Sequence, residues 1–182
     1  MKPEEKARVK IDQWLTEAGW KVINRDEFEA DSSAVAVREG LLKGNREADY
    51  FLFINGKAVG ILEAKREEID ANKGVVCDQV EAYARGVPSY YTAYQKPIPF
   101  LYTSNGKQHY FHDFRKKDSG YEEIFVMHKP KKLVEMLGIE DPFAGLPTLN
   151  PKGLRACQYE AITGLEKSFR NGQNRALMVL AT

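Results

Sequence analysis

The sequence predicts an α/β chain, and three observations predict it. Residues 3–18 carry apolar side chains at helical spacing, two apolar runs flank Asn55-Gly56, and a second helical stretch at 70–86 separates that pair from further strand-like runs. Alternation of the two periods along one chain is the pattern of a sheet covered by helices.

In the first helix Ala7, Ile11, Trp14 and Ala18 recur at three- and four-residue steps with Leu15 beside them, and Gly19 supplies the stop. Extending that stripe one step backward reaches Glu4. A carboxylate in the first turn is either a charge that the helix dipole favours or a member of a site. Residues 21–25 read as a short strand, and 33–42 hold another around Val35-Ala36-Val37-Arg38-Glu39. Residues 48–64 are a hairpin, because Asn55 and Gly56 both tolerate the positive φ of a type I′ turn.

Along the second strand of that hairpin, residues two apart share a face, so Glu63 and Lys65 point one way and Ala64 the other. Counting outward from the turn brings Asp49 close to Glu63. Two carboxylates side by side cost stability unless a cation sits between them. Hard divalent ions such as Mg²⁺ favour such oxygen ligands, with water and phosphate completing the shell. The competing reading is a solvated strand exit into Lys65-Arg66-Glu67-Glu68; against it, Glu63 interrupts the otherwise buried pattern of Ile61, Leu62 and Ala64.

On the helix at 70–86 the expected buried positions are Val75, Val76, Val80 and Ala84, while Gln79 and Tyr83 share a face one turn apart. A strand at 100–104, a hairpin turn at Asn105-Gly106 into 108–114, and a short helix at 131–137 follow. Residues 141–151, rich in Pro and Gly, read as a linker. Beyond it, 158–169 is helical, and the apolar run 175–181 suits a strand buried on both faces of a parallel sheet.

A chain of 182 residues holds one good core plus a partial second unit. With 27 basic against 26 acidic side chains, the net charge of +1 exerts no global pull on nucleic acid. Any DNA contact then falls to local patches, for which Arg115-Lys116-Lys117 and Lys129-Pro130-Lys131-Lys132 are the candidates, with solvated loops as the bland alternative. Cys77 and Cys157 have no Cys or His at metal spacing, so neither a zinc site nor a disulfide framework is indicated, which suits a reducing cytoplasm. His109, His112 and His128 form no ligand or nucleophile pattern, and His109 and His112, in a strand-like segment, read as surface or satisfied residues instead of ligands. The charged N-terminus lacks the apolar core of a signal peptide, and no run reaches the length of a membrane span.

These residues, in this order, resemble the N-terminal part of the restriction (R, HsdR) subunit of type I restriction-modification enzymes. The resemblance is carried by Pro3-Glu-x-Lys-Ala-Arg8, Ile11-Asp12, Ala18-Gly-Trp20, Val35-Ala-Val-Arg-Glu39, Glu47-Ala-Asp-Tyr50, Gly56-Lys-Ala-Val-Gly60, Glu63-Ala-Lys65 and Gln79-x-x-x-Tyr83. It continues through Leu154-Arg-x-x-Gln158-x-x-Ala-Ile162 and Arg175-Ala-Leu-Met-Val-Leu-Ala-Thr182. It implies a nuclease of the PD-(D/E)xK superfamily, a mixed central β-sheet flanked by helices. Asp49 and Glu63 match the acids that bind the metal, Mg²⁺ or Mn²⁺, joined by the main-chain carbonyl at Ala64. Lys65 matches the lysine that orients or activates the attacking water and stabilises charge on the phosphate. Gln79 and Tyr83 match a motif shared with RecB-like nucleases, and Glu4 matches a first-helix acid placed to complete the metal shell. Ala48 stands where the superfamily name has proline, a position with no chemistry of its own.

The implied domains are an endonuclease over 1–140, a linker over 141–153, and over 154–182 the start of a RecA-like superfamily 2 helicase motor. In that motor Gln158 would read the adenine of ATP. The run ending at Ala181-Thr182 stops where a Gly-x-Gly-Lys-Thr phosphate loop would begin, so the expectation is a piece of a longer subunit, without ATP hydrolysis of its own. Implied partners are double-stranded DNA and the methyltransferase (M) and specificity (S) subunits. The alternatives at this point are a DNA-binding or subunit-assembly module whose nuclease site is inactive in isolation, and a nuclease of another system such as a helicase-linked repair enzyme. Whether Lys65 acts as base or as electrostatic stabiliser, and whether one or two metals act, stays open.

Overall fold

The computed structural model describes residues 3–29, 33–44, 46–139, 149–170 and 176–179. Helix α1 (Pro3–Glu17) breaks at Gly19, which takes φ +91°. Its stripe is the one the spacing predicts: Ala7, Ile11, Leu15 and Ala18 are buried, and Trp14 packs at their margin.

Seven strands follow among the described residues: β1 (Lys21–Ile23), β2 (Ala34–Leu41), β3 (Glu47–Ile54), β4 (Lys57–Ala64), β5 (Phe100–Ser104), β6 (His109–Asp113) and β7 (Glu122–Glu123). They form one sheet in sequence order. β1 runs parallel to β2 and β4 parallel to β5, while the other neighbours are antiparallel. The sheet is therefore mixed, as expected. Helix α2 (Gly74–Arg85) is the crossover between parallel β4 and β5, which a two-residue turn cannot join.

The sheet lies between two apolar layers. Val37, Phe51, Phe53, Ile61 and Leu101 face Val80, Tyr83 and Ala84 of α2. On the other face Ala36, Tyr50, Leu52, Leu62 and Tyr102 meet α1 and Leu133 of α3 (Pro130–Met136). β3 and β4 are consequently apolar on both faces, and that burial anchors their charged ends.

One irregularity positions those ends. Asn55 and Gly56 take φ of 50° and 69°, the I′ turn the sequence predicts, and Ile54 pairs with Lys57 and Phe53 with Ala58. The register then shifts, Leu52 pairing with Gly60 and Tyr50 with Leu62, so Val59 is an extra residue in β4. Without it Asp49 would oppose Leu62, and Glu63 would sit on the other face. With it, the register leads Asp49 to Glu63. The bulge needs glycine next to it: a Cβ on Gly60 would lie 3.0 Å from both Leu52 Cδ1 and the Phe100 carbonyl oxygen.

Four expectations are corrected. The second helix begins at Gly74, not 70, and Val75 is 71% exposed instead of buried, because it falls on the outer side of the first turn while Val76 takes the inner one. Arg115 is no free basic contact: it is spent on Asp113 and on the Met136 carbonyl. His112 is buried rather than satisfied, neither ring nitrogen having a hydrogen-bond partner. Residues 176–179 form no strand, and Leu177 and Val179 are exposed: none of the described strands pairs with them. Most of the expected linker, and the rest of the 175–181 run, lie outside the described residues.

The helix expected at 158–169 is α4 (Ala156–Arg170). There Gln158 Oε1 accepts the Arg155 backbone N–H at 2.9 Å, a local cap of the helix start. No described helix is long and apolar enough to cross a membrane.

Candidate active site

Asp49, Glu63, Ala64 and Lys65 meet where β3 begins and β4 ends, in a cleft of about 210 Å³ also lined by Arg8, Arg66 and Ile69. Asp49 Oδ2 accepts the Ala64 N–H at 2.9 Å, which fixes the carboxylate against the end of β4. Lys65 Nζ donates to Glu63 Oε1 at 2.6 Å and to Gln79 Oε1 at 3.1 Å. Gln79 Nε2 in turn donates to the same Glu63 oxygen at 2.8 Å and to Tyr83 Oη at 2.6 Å. The helical spacing of Gln79 and Tyr83 thus extends the cluster one turn up α2, and Tyr83 is also part of the core.

Glu63 is the electrostatic centre. It is only 4% exposed, and its Oε2 is buried with no hydrogen-bond partner. Burial, then the neighbouring Asp49 charge, push its carboxyl up to about 7 against the pull of Lys65. A buried acid with one unpartnered oxygen beside a second acid leaves acceptor capacity unused, even with Lys65 at hand. Among the described residues no group of three or more His, Cys, Asp and Glu is placed to hold a metal. A metal here would rest on the Asp49 and Glu63 carboxylates with water, oxygen donors of the kind that Mg²⁺ and Mn²⁺ favour.

Of the residues singled out in the sequence, Asp49, Glu63, Ala64, Lys65, Gln79 and Tyr83 come together. Gln158 is not among those lining the cleft. Glu4 lies in the first turn of α1, and its side chain is outside the described residues. The sequence reading missed Arg8, whose Nη2 donates to Asp49 Oδ1 at 2.5 Å. A signal was present: Arg8 stands four residues after Glu4, so the two share a face of the helix.

The model of the family described as "Type I restriction enzyme EcoKI endonuclease subunit second domain" matches residues 28–137, more than half of the chain and all of the cluster on β3, β4 and α2. The chain belongs to this family. The curated type I restriction enzyme EcoKI endonuclease subunit of Escherichia coli K12 is 28% identical over 240 residues, a match that takes in 98% of this chain. The chain spans 20% of that relative's length. Among solved structures, a fragment of an HsdR subunit of a type I restriction enzyme from Vibrio vulnificus YJ016 aligns over 100% of this chain and 35% of its own, at 19% identity and a TM-score of 0.47. The type IIG restriction endonuclease BpuSI aligns over 74% of this chain and 15% of its own, at 20% identity and a TM-score of 0.43.

Proposed function

We propose that this chain carries the metal-dependent endonuclease domain of a type I restriction enzyme's R subunit and hydrolyses DNA phosphodiester bonds. The observation that carries the reading is the Asp49–Glu63 pair, brought to one face by the Val59 bulge, with Glu63 Oε2 buried and unpartnered. Family membership supplies the reaction class.

Asp49, Glu63 and the Ala64 carbonyl would hold Mg²⁺ or Mn²⁺. Such an ion, when bound, polarises the phosphate and lowers the pKa of a coordinated water. Lys65 supplies the other positive charge. An ammonium has three N–H donors, and Glu63 and Gln79 take two, leaving one for a nonbridging phosphate oxygen or the attacking water. This arrangement suits an electrostatic stabiliser fixed in advance of the reaction. Gln79 is the positioning residue: its amide oxygen faces the ammonium, and its NH₂ spans Glu63 and the Tyr83 hydroxyl. The exposed Lys116, Lys117, Lys129, Lys131 and Lys132 are offered to the DNA backbone.

In the whole subunit, by the same reading, 1–140 is the nuclease, 141–153 the linker, and 154–182 opens an ATP-driven motor in which Gln158 reads adenine. The M and S subunits would choose the target, and the complex would work in the cytoplasm. Calorimetric titration of Mg²⁺ or Mn²⁺ into wild type and Asp49→Ala, with nicking of supercoiled plasmid by the same samples, tests the core of this. Binding and nicking that both vanish in the variant support a nuclease site. Equal behaviour of the two proteins sinks it and favours an assembly module.

A further inference from the structure

Both oxygens of Asp49 are already engaged. Oδ2 holds the Ala64 N–H, and Oδ1 holds the Arg8 guanidinium at 2.5 Å. Arg8 has a second anchor, its Nη1 donating to Glu39 Oε1 at 3.1 Å. Glu39 is an unusual residue: it lies in β2 with φ +53°, a conformation that side chains other than Gly and Asn rarely take. Its carbonyl accepts a bond from Arg25 Nη1 at 3.2 Å. A backbone held out of its ordinary range persists only where its surroundings over-determine it, and such residues cluster at sites. Here the outcome is a carboxylate set beside the guanidinium that occupies Asp49.

We propose that Arg8 is a positioning residue that sets the metal affinity of Asp49: it orients the carboxylate in the metal-free site and gives up Oδ1 to Glu39 when a divalent cation binds. The inference rests on the nuclease reading above. A guanidinium and a divalent ion on one carboxylate repel each other strongly in a half-buried cleft, so they share Asp49 poorly. Glu39, half exposed, gives the displaced guanidinium a seat without requiring it to leave the site. The metal-free cleft therefore costs little, and the metal meets a carboxylate already aimed at β4.

The test is calorimetric titration of Mn²⁺ into wild type, Arg8→Gln, Arg8→Lys, Glu39→Gln, Lys10→Gln and Asp49→Ala, with circular dichroism of each in EDTA to verify folding. Arg8→Gln removes the competitor and is expected to tighten binding by about tenfold or more. Arg8→Lys keeps the charge and stays near wild type, whereas Glu39→Gln removes the alternative seat and weakens binding several-fold. Lys10→Gln takes a charge from the same helix without touching Asp49, and its effect is expected to stay below about twofold because solvent screens it. If wild type binds and Arg8→Gln binds no tighter, or tightens no more than Lys10→Gln does, the role of Arg8 is overturned and the nuclease reading stands. If neither wild type nor Arg8→Gln binds Mn²⁺, both fall together.

Discussion

Glu63 and Asp113 are two acids of equal burial, each 4% exposed, at ends of neighbouring parts of one sheet, yet their surroundings are opposite. Asp113 receives the fork of Arg115, Nε on Oδ1 at 2.8 Å and Nη2 on Oδ2 at 2.7 Å, plus the Arg115 backbone N–H at 3.3 Å. Burial alone would raise its carboxyl; the Arg115 bonds outweigh that and hold it below the usual range. The same guanidinium lies over the Phe100 ring and donates to the Met136 carbonyl at the end of α3. That corner is closed: both Asp113 oxygens and all three side-chain nitrogens of Arg115 have partners. At Glu63 one oxygen is crowded with donors and the other has none; burial and the Asp49 charge outweigh Lys65, and its carboxyl is raised instead. A buried acid that is fully paired ties the fold together, whereas one left half-paired beside another acid is a place where the fold carries strain.

The largest expected effect is on catalysis. Lys65→Ala is expected to lower plasmid nicking by about a thousandfold, or about 4 kcal/mol of transition-state stabilisation, while metal affinity changes only a few-fold, because the ammonium is not a ligand. Loss of metal binding in that variant would show that the role given to Lys65 is wrong. Next in size is Asp113→Asn, which removes the charge opposite the Arg115 guanidinium and should cost about 3 kcal/mol in a urea melt, with no change in metal affinity.

The same conservative change at the other acid should have the opposite sign. Glu63→Gln removes a charge that burial and Asp49 both oppose, so in EDTA at pH 8 it is expected to stabilise the protein by on the order of 2 kcal/mol while abolishing metal binding. The sign follows from linkage. With a folded-state value of about 7 against an ordinary 4.5, the folded chain holds a proton at Glu63 that the unfolded chain has released. Stability of the metal-free wild type therefore falls as pH rises through that window, and Glu63→Gln should flatten the fall. Asp113, with its depressed carboxyl, contributes stability that is present at neutral pH and lost only as pH falls through its folded value. A wild-type melt that is level between pH 5 and pH 8 in EDTA would deny the strain assigned to Glu63.

Much of this was legible in the sequence, and what was not has a physical reason. The I′ turn follows from Asn55-Gly56, the stripe of α1 from its spacing, and the common face of Glu63 and Lys65 from the pleat. The meeting of Asp49 with Glu63 was legible only to within one residue, because a two-residue turn alone pairs Asp49 with Leu62 and the Val59 bulge supplies the missing step. Gly60 in mid-strand was its trace in the sequence. Arg8 was hidden for another reason: a helix pattern shows which residues share a face, and not which strand end that face meets. Residues 176–179 read as a buried strand on composition, yet a strand exists only with a partner, and none of the described strands pairs with them.

The smallest effect separates packing from chemistry within α2. The Tyr83 ring belongs to the core, but its hydroxyl accepts the Gln79 amide that also spans Glu63. Tyr83→Phe keeps the ring and removes the acceptor, so the expected cost in stability is about 1 kcal/mol or less. Gln79 remains held at its other end by Lys65, and nicking should fall only a few-fold, through a looser ammonium. An unchanged rate would assign Tyr83 to packing alone and leave Gln79 fixed by Lys65 and Glu63. A loss as large as that of Lys65→Ala would place the phenol hydroxyl among the groups that touch the reacting phosphate.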